Sequence, residues 1–404
     1  MTRPADARTP KDAAVPPRGG LTSYVIAATL ARVSDGGAVV AVVLLVSTSG
    51  DAPALAGLLG ACITAPHLVG PFLARVLDTA RDGRAVIAAA SLIHALTLAG
   101  ALLAYGHLPH VITAALLISS GLVGPFLTGG ISSRLPSIAG PEVRQQRRAQ
   151  GWDVATYGIA GTIGPSLVAA LSASASPRVA GLILAAGALI ASGVVWLLPH
   201  QPPAGAGGEA PRPVRTLALM VRSGPLRRTL LLTITVALSV AVLPITAVAS
   251  TGRYDIHPSS TGLLVAAYGL GNLAGAVAVM FRPPTGDADQ LTLRLAAAVA
   301  IGLTAVLASP VFGVALAAYA ITGIANAYFF ASTLAARSEY APPRARGQVF
   351  VWVGALKITA GSAGTALAGA AITVGVHALL ALAAVLTAGA SASALADRRR
   401  RPGN

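Results

Sequence analysis

Gly70–Arg84, GPFLARVLDTARDGR, closes one apolar run and opens the next through a stretch holding two aspartates and three arginines. Gly70 has no side chain, so a neighbouring helix can approach it closely, as small residues allow where helices pack in lipid. Asp78 has the chemistry to cap a nearby helix or to pair with a cation. Arg75, Arg81 and Arg84 mark the turn as cytoplasmic, because basic residues accumulate in the loops on that side of a bilayer.

Outward from this turn the chain is mostly apolar. It has 404 residues, 54% hydrophobic and only 11% charged, where a soluble domain carries about 25% charged residues. That balance expects a chain solvated by lipid. The net charge of +15 does not point to nucleic acid, because the basic residues sit in short clusters between apolar runs rather than in a stripe interleaved with aromatics. Cys62 is the only cysteine, which excludes an intrachain disulfide or a cysteine metal cluster. Nothing has metal-ligand spacing, no Walker A sequence is present, and no serine stands in a nucleophile elbow. We therefore expect neither an enzyme nor a cofactor.

Apolar runs of about 20 residues, the length that crosses ~30 Å of hydrocarbon, recur near 22–46, 53–77, 85–105, 110–132, 153–174, 178–198, 228–249, 260–281, 291–308, 311–333, 349–372 and 375–396. Twelve spans follow, and strand-like alternation is absent. Of the 29 Lys and Arg, 25 fall on the side that also carries both termini; the loops of the other side hold only Arg178 and Arg253, and Arg32 and Lys357 lie within spans. This distribution expects both termini in the cytoplasm and a multi-pass protein of the plasma membrane. Residues 1–20, Pro-rich and polar, read as a disordered cytoplasmic tail rather than a signal peptide. Residues 199–227 read as a flexible cytoplasmic linker whose arginines can lie on the anionic inner leaflet, and 397–404 as a basic tail. Two six-span units remain, 21–198 and 228–396.

The units repeat faintly. GLLGACITAPHLVG (57–70) matches GLLVAAYGLGNLAG (262–275), and GTIG (161–164) falls opposite GSAG (361–364), at offsets of 205 and 200. In the second copy Pro283 stands where Asp78 would fall.

The 70–84 stretch resembles the loop signature between helices 2 and 3 of the major facilitator superfamily, with Gly70, Asp78, Gly83 and Arg84 in register. Thr79 replaces the usual arginine after the aspartate, with Arg81 the nearest substitute. The resemblance spans residues 21–396 and implies an all-α membrane protein whose twelve transmembrane helices form two pseudo-symmetric six-helix bundles, related by an axis along the membrane normal. Gly158, Gly161, Gly164 and Pro165 in span 5 look like the glycine-and-proline motif of the superfamily's drug antiporters, with Ala160, Val168 and Ala169 departing from it.

Several residues are candidates for mechanism. Arg32 and Asp35, spaced i,i+3 near the middle of span 1, share a helix face and can pair. Charges at that depth cost roughly 2.5–3.5 kcal/mol each and normally face a protein interior or a wet cavity. Superfamily resemblance places span 1 on the central cavity, making Asp35 the candidate proton acceptor, modulated by Arg32; a static pair orienting the span is the alternative. Lys357 in span 11 needs a partner from elsewhere, either Asp35 or an anionic substrate group, unless it snorkels to the surface. His67, beside Pro66, is a second cavity candidate, whereas His94 reads as structural. Tyr268 and Asn272 with Asn326, Tyr328, Phe329 and Phe330 can form a polar-aromatic patch for an amphipathic ligand. Arg134, at the end of span 4, can pair with Asp78 and latch a cytoplasmic gate. Asp153 reads as an acid at the start of span 5, favoured by the helix dipole.

The resemblance implies alternating access. The expected activity is proton-coupled efflux of a small organic or drug-like compound by a monomer embedded in lipid, with a nutrient importer or uniporter as the alternative on the same fold. A non-transporting receptor or scaffold is the alternative of another class.

Overall fold

The structure, a computed structural model, describes residues 19–201, 210–255, 257 and 260–400. The terminal tails (1–18 and 401–404) and linker residues 202–209 lie outside the described residues. No strand occurs among those described. This is what lipid demands, since a helix satisfies its own backbone polar groups and an open sheet edge does not.

Among the described residues eleven helices are long and apolar enough to cross a bilayer, and counting a helix pair bent by 42° as one span gives twelve. In order they are Gly20–Thr48, the pair Ala54–Leu68 and Gly70–Thr79, Gly83–Ala104, His110–Ala139, Val143–Ser174, Pro177–Val195, Gly224–Val248, Thr261–Phe281, Ala288–Ala308, Phe312–Tyr340, Pro343–Ala370 and Val376–Arg400. Span 2 bends where Pro66 and Pro71 remove backbone donors from the helical ladder.

The internal repeat is expressed as equivalent packing. Gly70 of span 2 lies against Pro125 of span 4, and its counterpart Gly275 of span 8 lies against the Ile324 backbone of span 10. Gly164 of span 5 meets the Val33 carbonyl of span 1, as Gly364 of span 11 meets that of Leu238 in span 7. A side chain at Gly70, Gly275 or Gly364 would collide with a neighbouring helix, and one at Gly164 would be tightly crowded. Each six-span unit has its own apolar core. A further cluster joins Val154 and Ala155 of span 5 to Ala276, Val279 and Met280 of span 8 and to Phe330, Leu334 and Phe350.

The structure corrects three expectations here. Span 5 begins at Val143 rather than near residue 153, so Asp153 is buried ten residues inside a 32-residue helix. Such a helix is about 48 Å long at 1.5 Å per residue. It outreaches the hydrocarbon, and hydropathy reports only its apolar part. Span 10 likewise continues to Tyr340, which puts Arg337, expected in a loop, inside the helix. Linker residues Pro213–Arg222 form a docked helix rather than a flexible chain. Its buried Met220 joins the cluster around Trp352, Thr216 donates to Gln348 at 3.0 Å, and Gln348 in turn donates to the Pro211 carbonyl.

Candidate transport site and gate

Between the two bundles lies a cavity of about 180 Å³. One wall carries Arg32, Asp35 and Gly36 of span 1, Thr128 of span 4, and Tyr157, Ala160 and Gly161 of span 5. The other carries Phe330 and Arg337 of span 10 with Gly354, Lys357 and Ile358 of span 11.

Arg32 and Asp35 do not pair. One Arg32 nitrogen donates to Asp153 Oδ1 at 2.6 Å and to Thr156, and the other donates to Ser132 Oγ at 2.9 Å and the Thr128 carbonyl. Tyr24 and Ser132 donate to the same Asp153 carboxylate at 2.5 and 2.8 Å, and the guanidinium lies 3.7 Å from the centre of the Tyr157 ring. Arg32 and Asp153 side chains are 1% and 0% exposed. The pair joins spans 1, 4 and 5 and supplies a fixed wall. Separating it would strand a charge at a cost of about 3–5 kcal/mol. The helix-start role expected for Asp153 is thus replaced by burial and pairing.

Asp35 turns instead toward span 2. Its Oδ1 lies 3.7 Å from His67 Nε2 and has no hydrogen-bond partner, while the side chain keeps 12% exposure on the cavity. The His67 Nδ1 sits 3.0 Å from the Ile63 carbonyl, which favours the tautomer protonated there and leaves Nε2 able to accept a proton. Gly124 makes room for this ring, since a methyl group in its place would strike it. His94, behind them, is held by Ser34 and Ser120 at its two ring nitrogens, 3.1 and 2.8 Å.

Lys357 reaches the cavity rather than the membrane surface. Its Nζ lies 3.4 Å from the centre of the Phe330 ring and 5.0 Å from that of Tyr157, and it forms no ion pair among the described residues. Arg337, 1% exposed, donates only to Thr333 of its own helix among the described residues and lies near the Phe330 and Phe350 rings. Sequence reasoning missed Arg337 and Tyr157 because hydropathy assigned the first to a loop and gave the second no distinguishing feature.

The expected polar-aromatic patch is divided. Phe330 lines the cavity, while Phe329 belongs to the second bundle's core. Tyr328 packs at the bundle interface, and the Tyr268 hydroxyl meets the side chains of Asn272 and Asn326 between spans 8 and 10. Of the span-5 motif, Gly164 makes the close helix contact, Gly161 lines the cavity and Gly158 faces open space. Pro165 continues the helix.

At the end of the molecule bearing the 70–84 stretch, the bundles are closed on one another. The Asp78 carboxylate accepts hydrogen bonds from the backbone N–H groups of Gly347 and Gln348, at 2.8 and 3.0 Å, in the first turn of the helix Arg346–Ala370. Those N–H groups have no partner within their own helix, and the helix dipole adds to the attraction. Arg134 does not pair with Asp78. It donates to the Leu77 carbonyl at 3.0 Å and lies across Gly83, where any side chain would displace it. Arg84 pairs with Asp82 at 2.8 Å and donates to the Leu198 carbonyl, while Arg81 is exposed. A second tie crosses between bundles where Arg147 pairs with Glu339 at 2.6 Å and donates to the Gly286 carbonyl. Phe72 and Trp352 meet edge to face, with ring centres 5.4 Å apart.

Comparison with known proteins matches this architecture. Residues 24–288 match the sequence profile of the Major Facilitator Superfamily. A stretch of 188 residues is 34% identical to an uncharacterized MFS-type transporter, y4rN, of Sinorhizobium fredii, and covers 45% of each chain, so the match spans under half the length of that relative. Among solved structures, the E. coli fucose:proton symporter FucP superposes with a TM-score of 0.72 at 14% identity, covering 96% of this chain and 100% of that one. The human organic anion transporter MFSD10 gives 0.68 at 15%, covering 94% and 98%. A bacterial homologue of the iron transporter ferroportin, in its outward-facing state, gives 0.71 at 14%, covering 94% and 99%.

Proposed function

The chain belongs to the Major Facilitator Superfamily, a family of secondary transporters, and from that premise we propose that it moves a small organic compound by alternating access, coupled to protons at Asp35 and His67. The observation that carries this reading is the Asp35 carboxylate: it is exposed to the central cavity, faces a histidine at 3.7 Å, and has an oxygen without a hydrogen-bond partner. No arginine or lysine pairs with it among the described residues. Arg32, on its own helix, is committed to Asp153; His94 is held by two serines; Lys357 and Arg337 stand on the opposite wall. A proton taken up there changes the charge of the surface where the bundles meet, and so biases one arrangement against the other, as coupling requires.

The cavity is smaller than the roughly 300–1,000 Å³ that drug-sized ligands occupy. That favours a compact cargo, the small organic end of the expected range. With both termini cytoplasmic, as the arginine distribution expects, the Asp78 latch is the inner gate, and it is closed in this arrangement.

The test is purified protein in liposomes carrying an internal pH dye, challenged with small organic acids, amines and neutral metabolites. Compound-dependent proton movement that disappears in Asp35→Asn supports the reading. Equal proton movement in Asp35→Asn removes Asp35 from it.

A further inference from the structure

The two walls of the cavity are unequal in charge. Arg32 and Asp153 cancel at 2.6 Å, and both are removed from water. What remains facing the cavity is two cations, Lys357 and Arg337, against the single carboxylate of Asp35 on the opposite wall. Neither cation pairs with a carboxylate among the described residues. Lys357 rests on the Phe330 ring, and Arg337 has only the hydroxyl and carbonyl of Thr333. Aromatic faces and neutral oxygens hold a cation in place without neutralising it. A cation kept this way in the interior of a membrane protein normally marks the path of a substrate.

We propose that the cargo is a small organic monocarboxylate whose anionic group is taken by Lys357 and Arg337, and whose apolar body lies on Tyr157 and Ile358, between Gly36 and Gly161 of one wall and Gly354 of the other. The guanidinium supplies planar donors suited to a carboxylate, and the ammonium a mobile point charge. Phe330 and Tyr157 stand edge to face, 4.9 Å between ring centres, and offer ring edges to an aromatic or branched body. The cavity's 180 Å³ sets the scale at a single-ring acid. This deepens the transport reading and rests on it in one respect: it assigns the sense of the coupling. Asp35 has His67 at 3.7 Å and His94 behind it as its titratable neighbours, and its protonation removes the one carboxylate that lines the cavity among the described residues, so proton and anion assist one another's binding and travel together, instead of exchanging as the antiporter resemblance implied. Reciprocity of linked binding requires the converse, that the bound anion draws a proton onto Asp35.

The experiment is calorimetric binding to the purified full chain with benzoate, benzamide and benzylamine, three probes of nearly one shape and different charge. Benzoate is expected to bind at least tenfold more tightly than benzamide, with benzylamine weakest. Lys357→Gln is expected to cost tenfold or more for benzoate and leave benzamide within twofold, and Lys357→Arg to retain the preference for the acid. Arg337→Gln provides an independent second loss. Equal binding of acid and amide, tighter binding of the amine, no binding of benzoate, or unchanged benzoate affinity in Lys357→Gln would each overturn the assignment. Repeating the benzoate titration in two buffers of different ionisation enthalpy separates the two readings. Acid-selective binding with proton uptake that Asp35→Asn abolishes supports both. Acid-selective binding without uptake keeps the anion assignment and counts against Asp35, and proton flux with no acid preference does the reverse.

Discussion

Removing the Asp78 carboxylate should open the gate end of the molecule. In the closed arrangement its two oxygens accept from the Gly347 and Gln348 amides at 2.8 and 3.0 Å. When the bundles separate, water replaces the protein partners, so only the net value of each bond is lost, roughly 1 kcal/mol apiece and somewhat more because the acceptor is charged. The first turn of the helix adds about 0.3–1 kcal/mol for an anion at its N-terminus. The sum is about 2–4 kcal/mol, which at 1.4 kcal/mol per decade corresponds to a shift of roughly 30- to 1,000-fold in the closed-to-open ratio for Asp78→Ala. Asp78→Asn keeps one acceptor oxygen without the charge and should lose about half that free energy. Spin labels at two exposed gate-end positions, Arg81 and Thr285, in a Cys62→Ala background, read the two populations as short and long distances. Coincident distance distributions for wild type and Asp78→Ala would refute the latch. So would an Asn variant more open than the Ala variant.

Gly347→Ala should act in the same direction without touching the carboxylate, since the new methyl would stand 2.7 Å from Asp78 Oδ1 and 3.0 Å from Leu77 Cβ; the same labels report it. Asp153→Asn should destabilise the fold by about 3–5 kcal/mol through an uncompensated Arg32. The double variant Arg32→Gln/Asp153→Asn should cost less than the sum of the single variants, as measured by a denaturation cycle. Gly129→Ala should wedge spans 4 and 11 apart, because its methyl would overlap the Phe350 carbonyl, and raise the open population in the spin-label experiment. At the turn, a hydrogen bond from Arg84 holds the Asp82 carboxyl below its ordinary range. Its stabilisation is therefore present above the usual carboxylate pKa and lost as pH falls through the lowered value. Being near the surface, it is worth under about 1 kcal/mol, so Asp82→Asn should leave the pH profile of transport unchanged between pH 5 and 8.

The span count, the two-bundle architecture and the repeat were legible because each is local or periodic in the chain. Twenty apolar residues must be helical in lipid, and glycines at matching offsets become matching close contacts, as Gly70 and Gly275 do. The charged residues of span 1 were legible as exceptional, and so was Lys357, because charge in an apolar run is visible without a structure. Their partners were not. Arg32 has Asp35 one turn away in the same helix, yet it reaches Asp153, 121 positions along, because that carboxylate is buried and supported by Tyr24 and Ser132.

Hydropathy also shortened the helices. It began span 5 and ended span 10 where their apolar character fades, and so read Asp153 as a helix-start acid and left Arg337 in a loop, although both are buried inside those helices. The amino-acid sequence by itself therefore determined how many times the chain crosses, where its turns lie and which residues are costly to place in lipid, since these follow from the free energy of transferring each residue from water. The tertiary structure alone decided which charges cancel and which stay open to the cavity, and that Asp78 holds a helix end rather than Arg134. Those outcomes depend on distances between helices remote in sequence, and on which groups lose their water when the two bundles close.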